Sequence, residues 1–312
     1  MMSDILLINP VLPDIDASLC ASYRVHRYYE QDDKDDFLRA VGSRIRGVVT
    51  GGASGIDRAL MQKLPALEVV AVNGIGTDAV DLEQARARGI HVSTTPGVLT
   101  DDVADLAIGL LIAACRGLCA GDRYVRQGKW GKSGLPLARR FSGMRVGIVG
   151  LGRVGRAIAT RAAAFGCPVS YTDLREVPDA PYAYIDDLAD LARASDALVL
   201  AASADDAEGI IDARVLDALG PTGYLINVAR GRLVNERDLI EALEAGRIAG
   251  AGVDVFVDEP HVPPALFDIE QVTLQPHRGS ATVETRRAMG HIVLASLAEA
   301  FAGRRPATSV TT

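Results

Sequence analysis

The chain has 312 residues, which is enough for two domains of ordinary size that each bury a core. Hydrophobic residues make up 48% of the sequence and charged residues 23%, the balance of a soluble globular protein. The formal net charge of −7 argues against binding to nucleic acid through a basic surface.

Four cysteines, Cys20, Cys115, Cys119 and Cys167, are scattered along the chain and form no CxxC pair. Disulfide frameworks and zinc sites require denser, patterned cysteines, so we expect buried thiols and no metal. The amino terminus lacks a basic region followed by a long apolar run, and the longest apolar stretch, Leu106–Cys115, is about half a membrane span. The sequence therefore predicts a cytoplasmic protein that makes no contact with a membrane.

Short apolar strands alternate with helical patterns through most of the chain, which predicts parallel sheets covered by helices on both faces. The strands of a first α/β unit are expected at Ile5–Ile8, Val25–Tyr29, Gly47–Thr50, Val69–Val72 and His91–Ser93. The strands of a second unit are expected at Arg145–Val149, Val169–Tyr171, Ala197–Ala201, Tyr224–Asn227, Gly250–Asp254 and Val272–Leu274. The predicted fold class is therefore α/β, with two doubly wound parallel sheets.

Helices are expected between the strands, for example at Gly55–Leu64 and Asp81–Arg88. The stretch Leu99–Leu118 predicts one unbroken helix with Thr100 or Asp101 as its N-cap.

A final helix over Val283–Phe301 follows the completed second sheet, so we expect it to return to the first domain and make that domain discontinuous. The predicted substrate-binding domain therefore comprises residues 1–98 and 284–312, and the predicted nucleotide-binding domain residues 99–283. The last segment, Ala307–Thr312, is expected to be frayed.

The segment from Arg145 to Ile158 contains the pattern G-x-G-x-x-G between an apolar strand and an amphipathic helix. An isolated pattern of this kind is weak, but the strand–turn–helix context is the one that dinucleotide binding requires. Gly150 permits the tight turn, Gly152 lets the backbone approach a pyrophosphate, and Gly155 lets the helix pack against the strand. A Rossmann-like nucleotide-binding domain is predicted, with a purely structural turn and a methyltransferase loop as the alternatives.

Asp173 follows the second strand of this unit, 18 residues after Gly155. A carboxylate there can accept hydrogen bonds from the ribose hydroxyls of the cofactor, and it repels a 2′-phosphate. Asp173 therefore favours NAD over NADP. Arg175 is the competing signal, because its side chain could turn toward a phosphate.

Three loops that follow strands of the second unit carry charged side chains: Arg230 after one strand, Glu259 after the next, and His277 after the last. The carboxyl ends of parallel strands meet at one edge of a sheet, where doubly wound folds bind their ligands. Reduction of a 2-oxo acid needs a cation for the carboxylate and carbonyl, a proton donor, and a group that keeps the donor charged. Arg230, His277 and Glu259 suit these roles in that order. Taken singly, each residue could also be a surface or capping residue.

These segments resemble the D-isomer-specific 2-hydroxyacid dehydrogenases over nearly the whole chain. VNGIGTD (residues 72–78), TPGVLTDDVADLA (95–107), FSGMRVGIVGLGRVG (141–155) and SATVETRRAM (280–289) carry the likeness, which is strongest to the glyoxylate, hydroxypyruvate and hydroxyphenylpyruvate reductase branch. The resemblance implies an oxidoreductase that transfers hydride between NAD or NADP and a small 2-oxo or D-2-hydroxy acid.

The resemblance also assigns residues. It implies that Arg230, Glu259 and His277 are catalytic. Substrate binding falls to Arg230, His277 and the glycine-rich turn Asn73, Gly74, Ile75 and Gly76, whose N–H groups would hold the substrate carboxylate. Cofactor binding falls to Gly150, Gly152, Arg153, Val154, Gly155, Asp173, Val228, Ala229, Asp254 and Gly279.

Some positions depart from the common family pattern. Leu99 stands where many members have Asn, and Arg278 follows the histidine where a small or apolar residue is usual. Arg278 could select a polar or acidic substrate tail or form a salt bridge with a neighbouring loop. Many members of the branch that use NADPH lack an acid at the position of Asp173, so the resemblance and this residue favour different cofactors.

Two other functions fit the same fold. A formate dehydrogenase carries Gln where Glu259 stands, so this residue argues against that activity. A non-enzymatic NAD-sensing scaffold of the corepressor type is opposed by the complete set of Arg, Glu and His. The resemblance further implies a homodimer formed through Leu99–Arg140, with apolar residues such as Leu110, Leu111 and Leu118 partly covered by the partner.

Overall fold

The computed structural model describes residues 2–132, 134–203 and 207–311. The chain divides into two units, of which the first comprises residues 1–98 and 281–312 and the second residues 99–280. The second boundary thus falls three residues before the position expected from the sequence.

The first unit contains a five-stranded parallel sheet in the order β2-β1-β3-β4-β5. Its strands are β1 (Asp4–Leu7), β2 (Arg24–Arg27), β3 (Ile45–Gly51), β4 (Val69–Asn73) and β5 (His91–Ser93). Its early helices are α1 (Pro13–Ser22), α2 (Lys34–Val41), α3 (Arg58–Gln62) and α4 (Leu82–Ala87).

Residues of these strands alternate between two apolar layers because side chains of a strand point to opposite faces in turn. Leu6, Val48 and Val70 pack on one face, whereas Ile5 and Val49 pack on the other.

The second apolar layer is completed by α11 (Val283–Phe301), whose bounds match the prediction. Val293, Leu297 and Ala300 of this helix share one buried cluster with strand residues of the first unit. The first unit is therefore discontinuous in sequence, as expected.

The second unit contains a seven-stranded parallel sheet in the order β12-β11-β10-β9-β6-β7-β8. Its strands are β6 (Val146–Val149), β7 (Val169–Thr172), β8 (Ala183–Tyr184), β9 (Ala197–Leu200), β10 (Tyr224–Asn227), β11 (Gly250–Val253) and β12 (Val272–Leu274). Its helices are α5 (Thr100–Arg116), α6 (Leu118–Arg126), α7 (Arg153–Ala164), α8 (Leu188–Arg193), α9 (Ala213–Leu219) and α10 (Glu236–Glu244). Two apolar clusters cover its two faces. Together the two sheets confirm the predicted α/β class.

The helix expected over Leu99–Leu118 is interrupted. It ends at Arg116 because Gly117 has a φ of 61° and ψ of 36°, the left-handed conformation that closes a helix, and α6 then begins. The N-cap is Leu99, without a side-chain hydrogen bond, so the expected cap at Thr100 or Asp101 is wrong. No single helix among the described residues is long and apolar enough to cross a membrane, although α5 and α6, bent by 60°, pass such a test as a pair.

The carboxyl-terminal segment, as far as Thr311, is bound to β5 and is not frayed, contrary to expectation. The N–H of Val310 donates to Val92 O at 2.7 Å, and the Thr311 hydroxyl donates to Ile90 O and accepts the N–H of Val92, both at 2.9 Å. The segment thus supplies hydrogen-bond partners to the outer edge of β5. The sequence does not predict this role, because the segment is polar and has no helical or strand pattern.

Two further expectations are wrong in part. Cys115 and Cys167 are buried, but Cys20 is exposed and Cys119 is partly exposed. Leu110 and Leu111 are buried within their own chain, with 2% and 0% exposure, because they face the sheet of their own unit.

Candidate active site

The glycine-rich turn joins β6 to α7. Gly150 has a φ of +91°, and a β-carbon at Gly155 would lie 2.0 Å from the carbonyl oxygen of Gly150. The helix therefore starts as close to the strand as a glycine allows. Its N-cap is Gly152, which has no side chain to cap the first N–H groups, so the amino terminus of α7 is suited to an anion.

Asp173 lies at the end of β7 beside this turn. Its Oδ2 accepts the N–H of Leu151 at 2.8 Å, and its Oδ1 accepts the N–H of Leu174 at 2.8 Å. The carboxylate thus fixes the glycine-rich turn from the side. Each carboxylate oxygen has two lone pairs, so both keep the capacity to accept one further hydrogen bond.

Arg230 is positioned by a buried residue that sequence reasoning gave no role. Asn227, 1% exposed, ends β10, donates from Nδ2 to the Arg230 carbonyl oxygen at 2.9 Å, and accepts the N–H of Ala229 at 3.0 Å. The guanidinium of Arg230 itself donates to the Ala229 carbonyl oxygen at 2.7 Å. An amide at the end of an apolar strand, next to an arginine loop, is the signal that could have identified Asn227. Val228 and Ala229 are buried beside it.

Glu259 and His277 form a direct pair. Oε2 of Glu259 lies 2.6 Å from Nδ1 of His277, and Oε1 accepts the N–H of Phe256 at 3.0 Å. Burial disfavours ionisation of Glu259, but the hydrogen bonds from His277 and Phe256 and the charge of Arg230 together lower the pKa of this carboxyl. The structure therefore brings Glu259 into contact with His277 and places the charge of Arg230 near enough to act on the Glu259 carboxyl.

Asp254 organises the loop that carries the histidine. This side chain, 1% exposed, accepts the N–H of Arg278 at Oδ1 and of Gly279 at Oδ2, at 2.5 and 2.8 Å. Burial raises the pKa of the Asp254 carboxyl, and these two hydrogen bonds oppose that rise. A predicted cofactor ligand is thus also a structural support of His277.

The predicted substrate turn lies in the first unit, after β4. The carbonyl oxygen of Gly74 accepts the N–H of Thr95 at 2.8 Å. Within the described part of the chain, the N–H groups of Ile75 and Gly76 donate no hydrogen bond. A turn with unused N–H groups is suited to a carboxylate.

The second unit fits a dinucleotide. A close glycine turn, an uncapped helix start and a carboxylate after the second strand of the unit occur in one continuous segment, from Gly150 to Asp173. Arg153 is exposed and Val154 partly buried on the first turn of α7, where a pyrophosphate would lie.

Comparison with known proteins agrees with this geometry. The sequence model of the D-isomer specific 2-hydroxyacid dehydrogenase NAD binding domain matches residues 108–279. A glyoxylate/hydroxypyruvate reductase A of Arabidopsis thaliana is 45% identical over 307 residues, 98% of each chain.

Two solved structures are also similar. The 2-hydroxyacid dehydrogenase from Ketogulonicigenium vulgare has a TM-score of 0.91 at 42% identity and covers 100% of this chain and 99% of its own. The NADPH-dependent glyoxylate/hydroxypyruvate reductase from Sinorhizobium meliloti, in complex with NADP and malonate, has a TM-score of 0.91 at 39% identity, covering 99% and 97%. The chain therefore belongs to the D-isomer-specific 2-hydroxyacid dehydrogenase family and is an NAD(P)-dependent enzyme.

Proposed function

We propose that this protein reduces a small 2-oxo acid of the glyoxylate and hydroxypyruvate type to the D-2-hydroxy acid. The observation that carries the proposal is the 2.6 Å contact between Glu259 Oε2 and His277 Nδ1. With Nδ1 bonded to a carboxylate, the second proton of the imidazolium lies on Nε2, from which it can be donated.

Each residue of the set has a separate task. Arg230 binds the oxo acid and stabilises the negative charge that develops on its carbonyl oxygen. When bound, the reduced nicotinamide supplies the hydride that adds to C2. As the electron pair of the C=O bond moves to oxygen, that oxygen takes its proton from Nε2 of His277, and Glu259 stabilises and orients the imidazolium.

The turn after β4 is assigned to the substrate carboxylate. The backbone N–H groups of Ile75 and Gly76 offer hydrogen bonds there without requiring a charged side chain. The names of the relatives support glyoxylate or hydroxypyruvate as the substrate class.

The direct test is turnover of a panel of 2-oxo acids, glyoxylate and hydroxypyruvate first, with NADH and NADPH in parallel. We expect reduction with formation of the D-product, read by chiral chromatography. Lack of turnover with every member of the panel would contradict the proposal.

NAD is the proposed preferred cofactor. Asp173 holds a negative charge at the end of β7, where it would face a 2′-phosphate of NADP. Like charges a few ångströms apart cost on the order of several kcal/mol even at an effective dielectric of about 20. Arg175, which is exposed on the same loop, would offset part of this cost if it turned toward the phosphate.

A cytoplasmic homodimer is the proposed state. Four apolar residues in α6 and the loop after it are exposed to solvent in the single chain: Leu118 is 53% exposed, Val125 55%, Trp130 81% and Leu137 102%. Such a surface on one segment is typical of an interface between copies. The interface proposed from the sequence therefore shifts from Leu110 and Leu111, which are buried, to these residues.

A further inference from the structure

The peptide group between Phe256 and Val257 is held from two sides. Its N–H, which belongs to Val257, donates to Oε1 of Glu236 at 2.9 Å. The same peptide packs on Gly231: a β-carbon added to this glycine would lie 2.0 Å from the Phe256 carbonyl carbon and 2.4 Å from the Val257 nitrogen. This contact leaves no room for a side chain at residue 231.

These two contacts join the segments that carry the proposed catalytic residues. Gly231 directly follows Arg230, and the held peptide lies three residues before Glu259. The N–H of Phe256 also donates to Glu259 Oε1, so the loop closes on the carboxylate that contacts His277. A shift of the peptide would therefore move Glu259 away from His277 and change its distance from Arg230.

The backbone of Glu236 is held at the start of a helix. This residue is the first of α10, and the N-cap Asn235 accepts the N–H of Asp238 at 3.2 Å. Val257, in contrast, is 53% exposed, so apolar packing of this residue does not anchor this point of the loop. The hydrogen bond to Glu236 supplies the missing support.

We propose that Glu236 is a positioning residue for the reduction. It holds the Phe256–Val257 peptide against Gly231 and thereby keeps Glu259 in a fixed position relative to Arg230. This inference rests on the proposed function. The competing explanation is that Glu236 only stabilises the start of α10 through its negative charge, as acidic residues in a first helical turn do.

Two variants separate these explanations. Glu236→Gln removes the charge but keeps an oxygen that can accept the Val257 N–H, whereas Glu236→Ala removes both. Glu241→Ala is the matched control, because it removes one carboxylate from the same helix and breaks an exposed ion pair with Arg237.

The measurements are kcat and KM for the oxo acid, the Kd of NADH by fluorescence, and the pH profile of kcat/KM. We expect Glu236→Ala to lower kcat about ten- to hundredfold, the range that small misplacement of catalytic groups produces, with the NADH Kd changed less than about twofold. Glu236→Gln should restore most of the kcat, and Glu241→Ala should leave it unchanged.

Equal losses of kcat in Glu236→Gln and Glu236→Ala, or a kcat within twofold of the native value in Glu236→Ala, would overturn the proposal. Hydrogen exchange of the Val257 amide provides a test that does not need turnover: it should be faster in Glu236→Ala than in the native protein and the control. If the native protein reduces no 2-oxo acid, the proposed function fails, while unchanged exchange in Glu236→Ala refutes the positioning role.

Discussion

The backbone N–H of His277 donates to the carbonyl oxygen of Asp254 at 2.8 Å, and the histidine adopts a φ of +52°. This left-handed conformation is uncommon for a residue other than glycine, and it is held by the hydrogen bonds of Asp254 to the following residues. The direction of the imidazole is therefore a property of the loop as well as of the side chain.

This relationship predicts the effect of Asp254→Asn. An amide offers one acceptor oxygen to the two N–H groups of Arg278 and Gly279, so one buried donor loses its partner, at a cost of about 1–3 kcal/mol. We expect a lower thermal midpoint and a lower kcat. Asp258→Asn, at a position whose side chain is 86% exposed, is the control and should change neither. Native stability and kcat in Asp254→Asn would show that the loop does not need the second acceptor.

The role of His277 as proton donor is tested by His277→Gln. Because glutamine cannot transfer a proton, we expect the rate of reduction to fall about 10²- to 10⁴-fold. The Kd of NADH, measured by fluorescence titration, should barely change, since the imidazole acts on the substrate. His261→Gln, at a side chain that is 79% exposed, should retain full activity. Near-normal turnover of His277→Gln would remove this residue from the mechanism.

The acid side of the pH profile follows from Glu259. Burial opposes its ionisation, but its hydrogen bonds and Arg230 hold the pKa below the ordinary value of 4.5. Since the folded-state pKa is depressed, ionisation of Glu259 contributes stability above pH 4.5 that is lost as the pH falls through the lower value. We therefore expect no loss of kcat/KM from protonation of Glu259 until the pH is below 4.5. A titration in kcat/KM at higher pH that disappears in Glu259→Gln would contradict this.

The contact between Glu259 and His277 is tested through turnover. Glu259→Gln replaces the charged acceptor of the 2.6 Å contact with a neutral amide, so the imidazole loses its charge-assisted hydrogen bond. We expect kcat for reduction to fall while the Kd of NADH barely changes. Glu270→Gln, which replaces another acid of the same unit, should leave kcat unchanged. A native kcat in Glu259→Gln would show that the pair does not act in reduction.

Cofactor preference is predicted from Asp173. We expect at least a tenfold preference for NADH over NADPH in kcat/KM, about 1.4 kcal/mol. Asp173→Ser should abolish most of this preference by removing the charge. Because Asp173 also accepts the N–H of Leu151, the same variant should bind both cofactors more weakly. Glu176→Gln, which changes an exposed acid on the same loop, is the control and should leave the preference unchanged. A native preference for NADPH would contradict the prediction and show that Arg175 determines which cofactor binds.

The homodimer is tested by light scattering. The native protein should have twice the chain mass of 33.0 kDa at micromolar concentration. Val125→Asp places a charge on the exposed apolar surface of α6 and should shift the mass toward the monomer. Gln127→Asp, which introduces the same charge just beyond the helix, should not. A native monomer at that concentration would rule out the dimer.

Much of the fold could be predicted because buried parallel strands are rich in apolar residues, and the predicted bounds of β10 and β12 agree with the structure to the residue. The two-residue strand β8 could not, since Ala183–Tyr184 is too short to show a period. The break at Gly117 was missed because the apolar pattern continues through it. The strand β8 and the break at Gly117 depend on local backbone conformation, which the pattern of apolar residues does not predict.

The candidate site likewise contains residues that the sequence predicts and contacts that it does not. Arg230, Glu259 and His277 could be proposed because each is a charged residue after an apolar strand. The hydrogen bond from the Val257 N–H to Glu236 could not be predicted, because a glutamate at the start of a helix looks the same in the sequence whether or not its side chain contacts a loop. Asp173 shows the limit for cofactor residues: its position was predictable, but its hydrogen bond to Leu151 depends on how the glycine turn closes.

The return of α11 to the first unit has a consequence for the order of events during synthesis. Val293, Leu297 and Ala300 complete an apolar layer over β1, β3 and β4, yet they leave the ribosome after every residue of the second unit. The second unit can therefore fold on the emerging chain while one face of the first unit's sheet is covered only in part, by α1. A nascent chain arrested at residue 280 should bind a hydrophobic dye that the finished protein excludes, which makes the interval before release the period of greatest exposure to aggregation.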